Sequence, residues 1–203
     1  TIDQSLRFNS ADSPYLSKTF GSGNQKTWTL SFWCKGLNTD CDILNAYTGS
    51  DSDAGFMQIY LGGSGENFTC GGWSTTYRKS TAIYRDPSAW YHFCISFDTT
   101  ESSADDRMKV YVNGELITDW STNNAFSENT NYPINSAYSH RIGRDNPASS
   151  SRQLAGYLAE YYFIDGTAYD ADDFGETDSA TNQWKPIDAS GLTFGTNGFY
   201  QKY

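Results

Sequence analysis

No stretch of this chain approaches the roughly 20 apolar residues that a helix needs to cross a bilayer, and no amphipathic run is long enough for a substantial helix. The second lack excludes a parallel sheet built from βαβ units. Positive charge is scarce: 14 Lys and Arg stand against 24 Asp and Glu, a formal net charge of −10. Such a surface repels phosphate backbones and anionic headgroups, so neither nucleic acid nor a membrane is expected as a partner. Cys-x-x-Cys is missing, so Cys34, Cys41, Cys70 and Cys94 are not spaced for zinc or redox work. There is no Gly-x-Ser-x-Gly nucleophile elbow. The run Gly21 to Thr27 only superficially suggests a phosphate loop, because no helix follows it. Repeats, linkers and compositional breaks are absent as well, so residues 1–203 read as one domain. An initiator Met and a leader are not seen, and the chain is expected to be a processed product or part of a longer one.

Aromatics fill the space that long aliphatic runs leave: 15 Tyr, 12 Phe and 6 Trp among 203 residues. With mean hydropathy of −0.62 and a pI near 4.5, the composition points to β-structure with many loops rather than to disorder. The clearest local signal is Asn113-Gly114 between Lys109-Val110-Tyr111-Val112 and Glu115-Leu116-Ile117-Thr118. Asn-Gly favours a type I′ turn, which sets Val112 opposite Glu115 and Tyr111 opposite Leu116. Met108, Val110, Val112 and Ile117 then share a core face, and Tyr111 lies on a covered or ligand-facing one.

Strand patterns recur at Leu6–Phe8, Thr27–Lys35, Ile43–Ala46, Phe56–Leu61, Trp90–Asp98, His140–Arg144, Gly156–Ile164 and Leu192–Tyr200. In Thr27–Lys35, Trp28, Leu30, Phe32 and Cys34 form one face and Thr29, Ser31, Trp33 and Lys35 the other; in Trp90–Asp98, Tyr91, Phe93, Ile95 and Phe97 form one face and Trp90, His92, Cys94 and Ser96 the other. Gly49–Gly55 and Gly62–Gly65 read as turns, Asn123–Tyr138 as irregular, and Asp170–Phe174 as one helical turn. Many short strands separated by turn signals indicate an all-β, antiparallel two-sheet jelly-roll sandwich. Cysteines inside such strands are expected to remain thiols.

Catalytic chemistry is thinly represented. A glucanase on this architecture needs two carboxylates flanking one bond. Glu160 and Asp165 are separated by an odd number of residues and point to opposite faces, so Glu160 reads as a structural carboxylate bonded to backbone or Tyr. His92 and His140 have no ligand spacing and read as hydrogen-bonded strand residues. Asp51-Ser52-Asp53 and Asp170 to Asp173 offer oxygens of the kind calcium takes, but neither fits an EF-hand loop; Asp51 and Asp53 are the candidate metal ligands, and no other cofactor is expected. Asn67-Phe68-Thr69 is a lone glycosylation sequon. Recognition remains: Trp33, Trp73, Tyr77 and Trp120 are the aromatics least explained by core alternation, and are the candidate platforms for a sugar.

Trp28–Trp33, Trp90–Asp98, Val110–Gly114 and Gly156–Glu160 together resemble the laminin-G/concanavalin A-like jelly-roll superfamily. A narrower likeness lies in Ser5–Asn9, Ser13–Ser17, Phe163–Ala168, Asp173–Glu176, Trp184–Pro186 and Gly195–Tyr200, which resemble structural proteins of tailed bacteriophages. That resemblance implies a non-catalytic virion component on the particle exterior: a tail fibre, head fibre or capsid decoration. Its implied partners are other virion proteins, further copies of itself and host-surface carbohydrate. The rival expectations are a glycan depolymerase or glucanase on the same fold, and a secreted laminin-G-like adhesion domain.

Overall fold

The computed structural model describes residues 2–37, 40–62, 67–146 and 152–203. Sixteen strands lie within them: β1 (Leu6–Phe8), β2 (Leu16–Thr19), β3 (Thr27–Lys35), β4 (Cys41–Tyr47), β5 (Phe56–Gly62), β6 (Asn67–Gly71), β7 (Thr76–Ile83), β8 (Trp90–Asp98), β9 (Met108–Val112), β10 (Glu115–Leu116), β11 (Trp120–Asn123), β12 (Ser139–Ile142), β13 (Gly156–Asp165), β14 (Gly175–Thr177), β15 (Trp184–Pro186) and β16 (Phe199–Gln201). Helix is limited to single 3-10 turns at Ser10–Asp12 and Ala171–Asp173, the second where one turn is expected. None is long and apolar enough to cross a membrane.

All strand pairs are antiparallel. One sheet runs β1-β13-β3-β8-β9-β10, with β16 also on β13; the other runs β11-β7-β6-β5-β4-β12-β2. β14 and β15 form a separate hairpin. The inward rows are those set by alternation. Trp28, Leu30 and Phe32 of β3 meet Phe93, Ile95 and Phe97 of β8 on the inner face, with Trp28 stacked on Phe97 at 4.6 Å between centroids. Ile43, Met57, Ile59 and Phe68 face them from the other sheet. The Asn113-Gly114 turn has φ of +51° and +84°, as type I′ requires, and the register is Glu115 to Val112 and Leu116 to Tyr111.

Several expectations change. β6 and β7 occupy a segment in which the sequence shows no strand pattern, because the polar partners in their alternation (Thr69, Arg78, Ser80) obscure the apolar ones. Tyr77 is therefore a core residue, stacked on Phe126 at 4.4 Å. The strand expected over Leu192–Tyr200 shrinks to β16; Leu192 and Phe194 pack from a loop, and Gly195 turns the chain at φ +74°. The expected turn at Gly62–Gly65 falls largely outside the described residues.

β13 carries a bulge. Ala159 pairs with Trp33 and Tyr162 with Ser31, so Glu160 and Tyr161 together oppose Phe32. Glu160 takes the left-handed conformation (φ +46°) that the bulge demands. Leu158, Tyr161 and Phe163 thereby all reach the main core, while Tyr162 and Ile164 point outward.

That outward face is covered. Residues after β13 fold back over it and build a second small core of Cys94, Tyr162, Ile164, Ala171, Phe174 and Ala189, with Tyr111 and Trp184 against it. The cover is latched by Asp165, whose carboxylate accepts from the Asn24 and Asn197 backbone N–H groups and from Asn135 Nδ2. The Asn197 side chain bonds Gly21 N, Gly21 O and Asn135 Oδ1.

Candidate functional site

The cover does not close the outer face completely. Beside β15 it leaves an open cleft of about 790 Å³ walled by three indoles: Trp33 from β3, Trp90 at the start of β8, and Trp184 from β15. Between them lie Asn113, Glu115, Asn182 and Gln183.

Each wall is fixed by local chemistry. His92, neighbour of Trp33 in the β3–β8 register, is fully buried on this face. Its Nδ1 accepts the Trp184 indole N–H at 2.9 Å. Its ring stacks between Trp33 (centroids 5.1 Å) and Trp184 (6.0 Å). Burial pushes the imidazole down to about 3, so it is neutral at physiological pH. A neutral ring that accepts at Nδ1 carries its proton on Nε2, which therefore donates to Ser31 Oγ at 2.8 Å. Nε2 thus has no free lone pair to take the Ser31 proton, and this Ser–His contact is scaffolding. A side chain at Gly114 or Gly175 would collide with the Trp184 ring, so those glycines give the indole its berth. Asn113 is held by reciprocal bonds, its N–H to the His92 carbonyl and its Oδ1 from the His92 N–H.

Charge in the cleft is balanced towards the negative. Lys185 is engaged by Glu176 at 3.2 Å and Asp178 at 3.0 Å. The Lys185 ammonium and backbone N–H donors pull the Asp178 carboxyl down to about 2. Glu115 lines the same cleft as an exposed acid.

A second cavity, of about 410 Å³, adjoins the first through Pro186. Glu160, Tyr162, Tyr200, Asp188 and Ser190 line it. Glu160 Oε2 accepts from Tyr200 Oη at 2.5 Å and Tyr162 Oη at 3.2 Å, the tyrosine-bonded carboxylate expected from sequence. Glu160 and Asp165 belong to separate networks and do not form a catalytic pair.

The four aromatics expected to bind sugar do not converge. Trp33 is in the cleft, though only 4% exposed, so it offers an edge rather than a platform. Tyr77 is corrected to core. Trp73 is 42% exposed and packs edge-on against Phe56. Trp120 is half-buried on β11 under the Arg78 guanidinium. Trp90 and Trp184 were missed. Trp184 carried a usable signal, a lone indole after the polar run Thr181-Asn182-Gln183.

The acidic loop is likewise turned to other work. Asp51 accepts from Tyr47 Oη at 2.7 Å. Asp53 accepts from the N–H and hydroxyl groups of Ser74 and Thr75, stapling the loop to the β6–β7 hairpin. Among the described residues no group of three His, Cys, Asp or Glu side chains is arranged to hold a metal ion. Both histidines are hydrogen-bonded strand residues, His140 through the Asn135 N–H and the Tyr138 carbonyl. All four cysteines are buried thiols rather than disulfides.

Two antiparallel sheets in a sandwich, with an aromatic cleft on one outer face, define a lectin-like jelly roll. The chain belongs to the concanavalin A-like lectin/glucanases superfamily, whose Laminin_G_3 family model matches residues 9–173. Solved structures agree on the fold. A Bacteroides ovatus protein whose proposed role is carbohydrate binding superposes with a TM-score of 0.58 at 17% identity, over 98% of this chain and 50% of that one. Domains LG4-5 of the mouse laminin alpha1 chain give 0.54 at 12% identity, over 94% and 46%. The heptameric SAP-like pentraxin of Limulus polyphemus gives 0.53 at 18% identity, over 82% and 73%. The chain thus spans about half the length of the first two. No curated protein matches it in sequence. Most of the cover, Trp184 included, lies beyond the end of the family match.

Proposed function

We propose that the chain is a non-catalytic carbohydrate-recognition module whose binding site is the Trp33–Trp90–Trp184 cleft. The observation that carries this reading is the convergence of indole walls with amide and carboxylate groups in one open cleft. Sugar rings present apolar C–H faces, which pack on indoles, and hydroxyls, which need such polar partners. The shared fold with a protein of proposed carbohydrate-binding role supports it. The separate anchoring of Glu160 and Asp165 supports a binding role over hydrolysis.

Its station is the exterior of a tailed-phage particle, as a fibre or decoration. This rests on the motif runs Phe163–Ala168, Asp173–Glu176, Trp184–Pro186 and Gly195–Tyr200 that resemble virion proteins. Repeated copies on a symmetric particle would convert weak sugar binding into avidity. Immunogold labelling of intact particles with antibody to this chain tests the placement; label confined to lysate debris overturns it.

The binding reading is tested by titrating the protein against a panel of neutral and acidic oligosaccharides. Trp184→Ala should weaken any hit about thirtyfold, roughly 2 kcal/mol, with Trp90→Ala acting in the same direction. Binding that survives both changes places the site elsewhere. Steady release of reducing ends from a bound oligosaccharide would replace this reading with the glucanase one.

A further inference from the structure

We infer that the second cavity is a second sugar subsite, so that the protein reads an extended neutral glycan rather than a single terminal residue. This rests on the indole cleft being the first subsite.

The two cavities are neighbours on one face. Both touch Pro186, and the consecutive residues Ile2 and Asp3 line the first and the second respectively. They are also ordered across the sheet. Trp90 opens β8, Trp33 lies on β3, and Glu160 follows the β13 residue that pairs with Trp33. At about 4.8 Å between adjacent strands, β8 and β13 are about 10 Å apart with β3 between them. A linear oligosaccharide lying across the strands passes from the indoles, over Pro186, to the tyrosines.

The second cavity has what such a ligand needs. Tyr162 and Tyr200 stack face to face with centroids 4.2 Å apart, a rigid aromatic edge. Glu160 is positioned by both phenols, and Ser190 and Asp188 stand on the exposed rim. The bulge at Glu160 puts a carboxylate on this face where an uninterrupted strand would keep a different register.

Charge chooses the class of sugar. Asp3, Glu160 and Asp188 line the cavity against the single cation Lys202. In the first cleft Lys185 is already shared by Glu176 and Asp178. A sialic acid or uronate unit would bring another negative charge to acidic walls, whereas a neutral hexose brings only hydroxyls.

The experiment is a length ladder. Calorimetric titration uses neutral gluco-, galacto- and manno-oligosaccharides from one to six units, with sialylated and uronate-bearing counterparts. On the unmodified protein, affinity for the neutral series that binds should rise about tenfold or more between short and long members, and the acidic counterparts should show no such gain. Ser190→Trp fills the second cavity from its exposed rim without touching the core. It should return the long members to the affinity of the short ones and leave the short ones unchanged. Equal affinity for short and long ligands, or a ladder unaffected by Ser190→Trp, overturns the second subsite and leaves the indole cleft standing. A panel in which no member responds to Trp184→Ala overturns both. The ladder on the unmodified protein decides the matter even if the variant folds poorly.

Discussion

Asn113 shows how much one residue type can determine. Its φ of +51° costs most side chains about 1 kcal/mol, a cost that Asn largely escapes. Its Oδ1 also accepts the His92 N–H at 2.8 Å, tying the hairpin turn to the residue that holds Trp184. Asn113→Ala should therefore cost about 2 kcal/mol. At about 2–4 °C per kcal/mol for a chain of this size, melting should fall by about 4–8 °C. Asn113→Gly keeps the turn and loses only the side-chain acceptor, so its fall should be clearly smaller. Calorimetry of the two variants checks this; equal losses would show that turn conformation contributes little. The same residue was the most legible in the sequence, because Asn-Gly between alternating strands has a local cause. Trp33 and Tyr77 show the opposite. Both sit off the simple apolar rows that sequence exposes, yet one lines a cleft and the other is core. What separates them is the element packed above each, which is non-local.

Among the elements, those with strong apolar contrast were legible to the residue: β1, β3 and β8 fall where alternation puts them. β6 and β7 were not, since Asn67, Thr69, Arg78 and Ser80 are polar yet buried, and the bonds that hold Asn67, Arg78 and Ser80 come from other parts of the chain. The covering segment was legible only as a run of recurring motifs, without a reason for them. The structure supplies the reason. Asp165 begins the cover, Gly195 turns against the Asp165 carbonyl where a side chain would collide, and Asn197 closes the latch. Asn197→Ala removes three side-chain bonds, frees the exposed Gly21 backbone and strands Asn135 Oδ1 in a buried site. A loss of about 3 kcal/mol is expected. Because the cover carries Trp184, any sugar affinity of the proposed cleft should fall as well. Hydrogen exchange should quicken across β14–β16 more than across β3 and β8. Uniform quickening would mean that cover and sandwich unfold as one unit, and that the latch is no separate element.

For the molecule as a whole, the acidic balance is the property the sequence states most plainly, but its effect on stability depends on three buried groups that composition does not reveal. Asp42 on β4 is fully buried, and Oδ2 has no hydrogen-bond partner among the described residues. Burial pushes its carboxyl up to about 7, with Asn45 and Arg152 opposing the rise and Asp145 adding to it. The folded state thus holds a proton that the unfolded chain releases near 3.8, and Asp42 makes stability fall as pH rises from about 4 to 7. The histidines act in reverse. Burial holds His92 at about 3 and His140 at about 4, below the ordinary 6.5, so the unfolded chain binds protons that the folded one refuses. Their contribution is lost as pH falls below 6.5. Two histidines outweigh one aspartate until most of the unfolded imidazoles have lost their protons and Asp42 is half ionised, so these groups place maximal stability at about pH 7. Asp42→Asn cancels the aspartate's share alone. The difference between the variant and the parent should then grow in the variant's favour from pH 5 to pH 8, by on the order of 2–3 kcal/mol. Every other titrating group is common to both proteins, so denaturant titrations of the pair at pH 5, 6.5 and 8 isolate it. A difference that stays constant across that range would mean that Asp42 is ionised in the fold. The unpaired Oδ2 would then need a partner inside the fold.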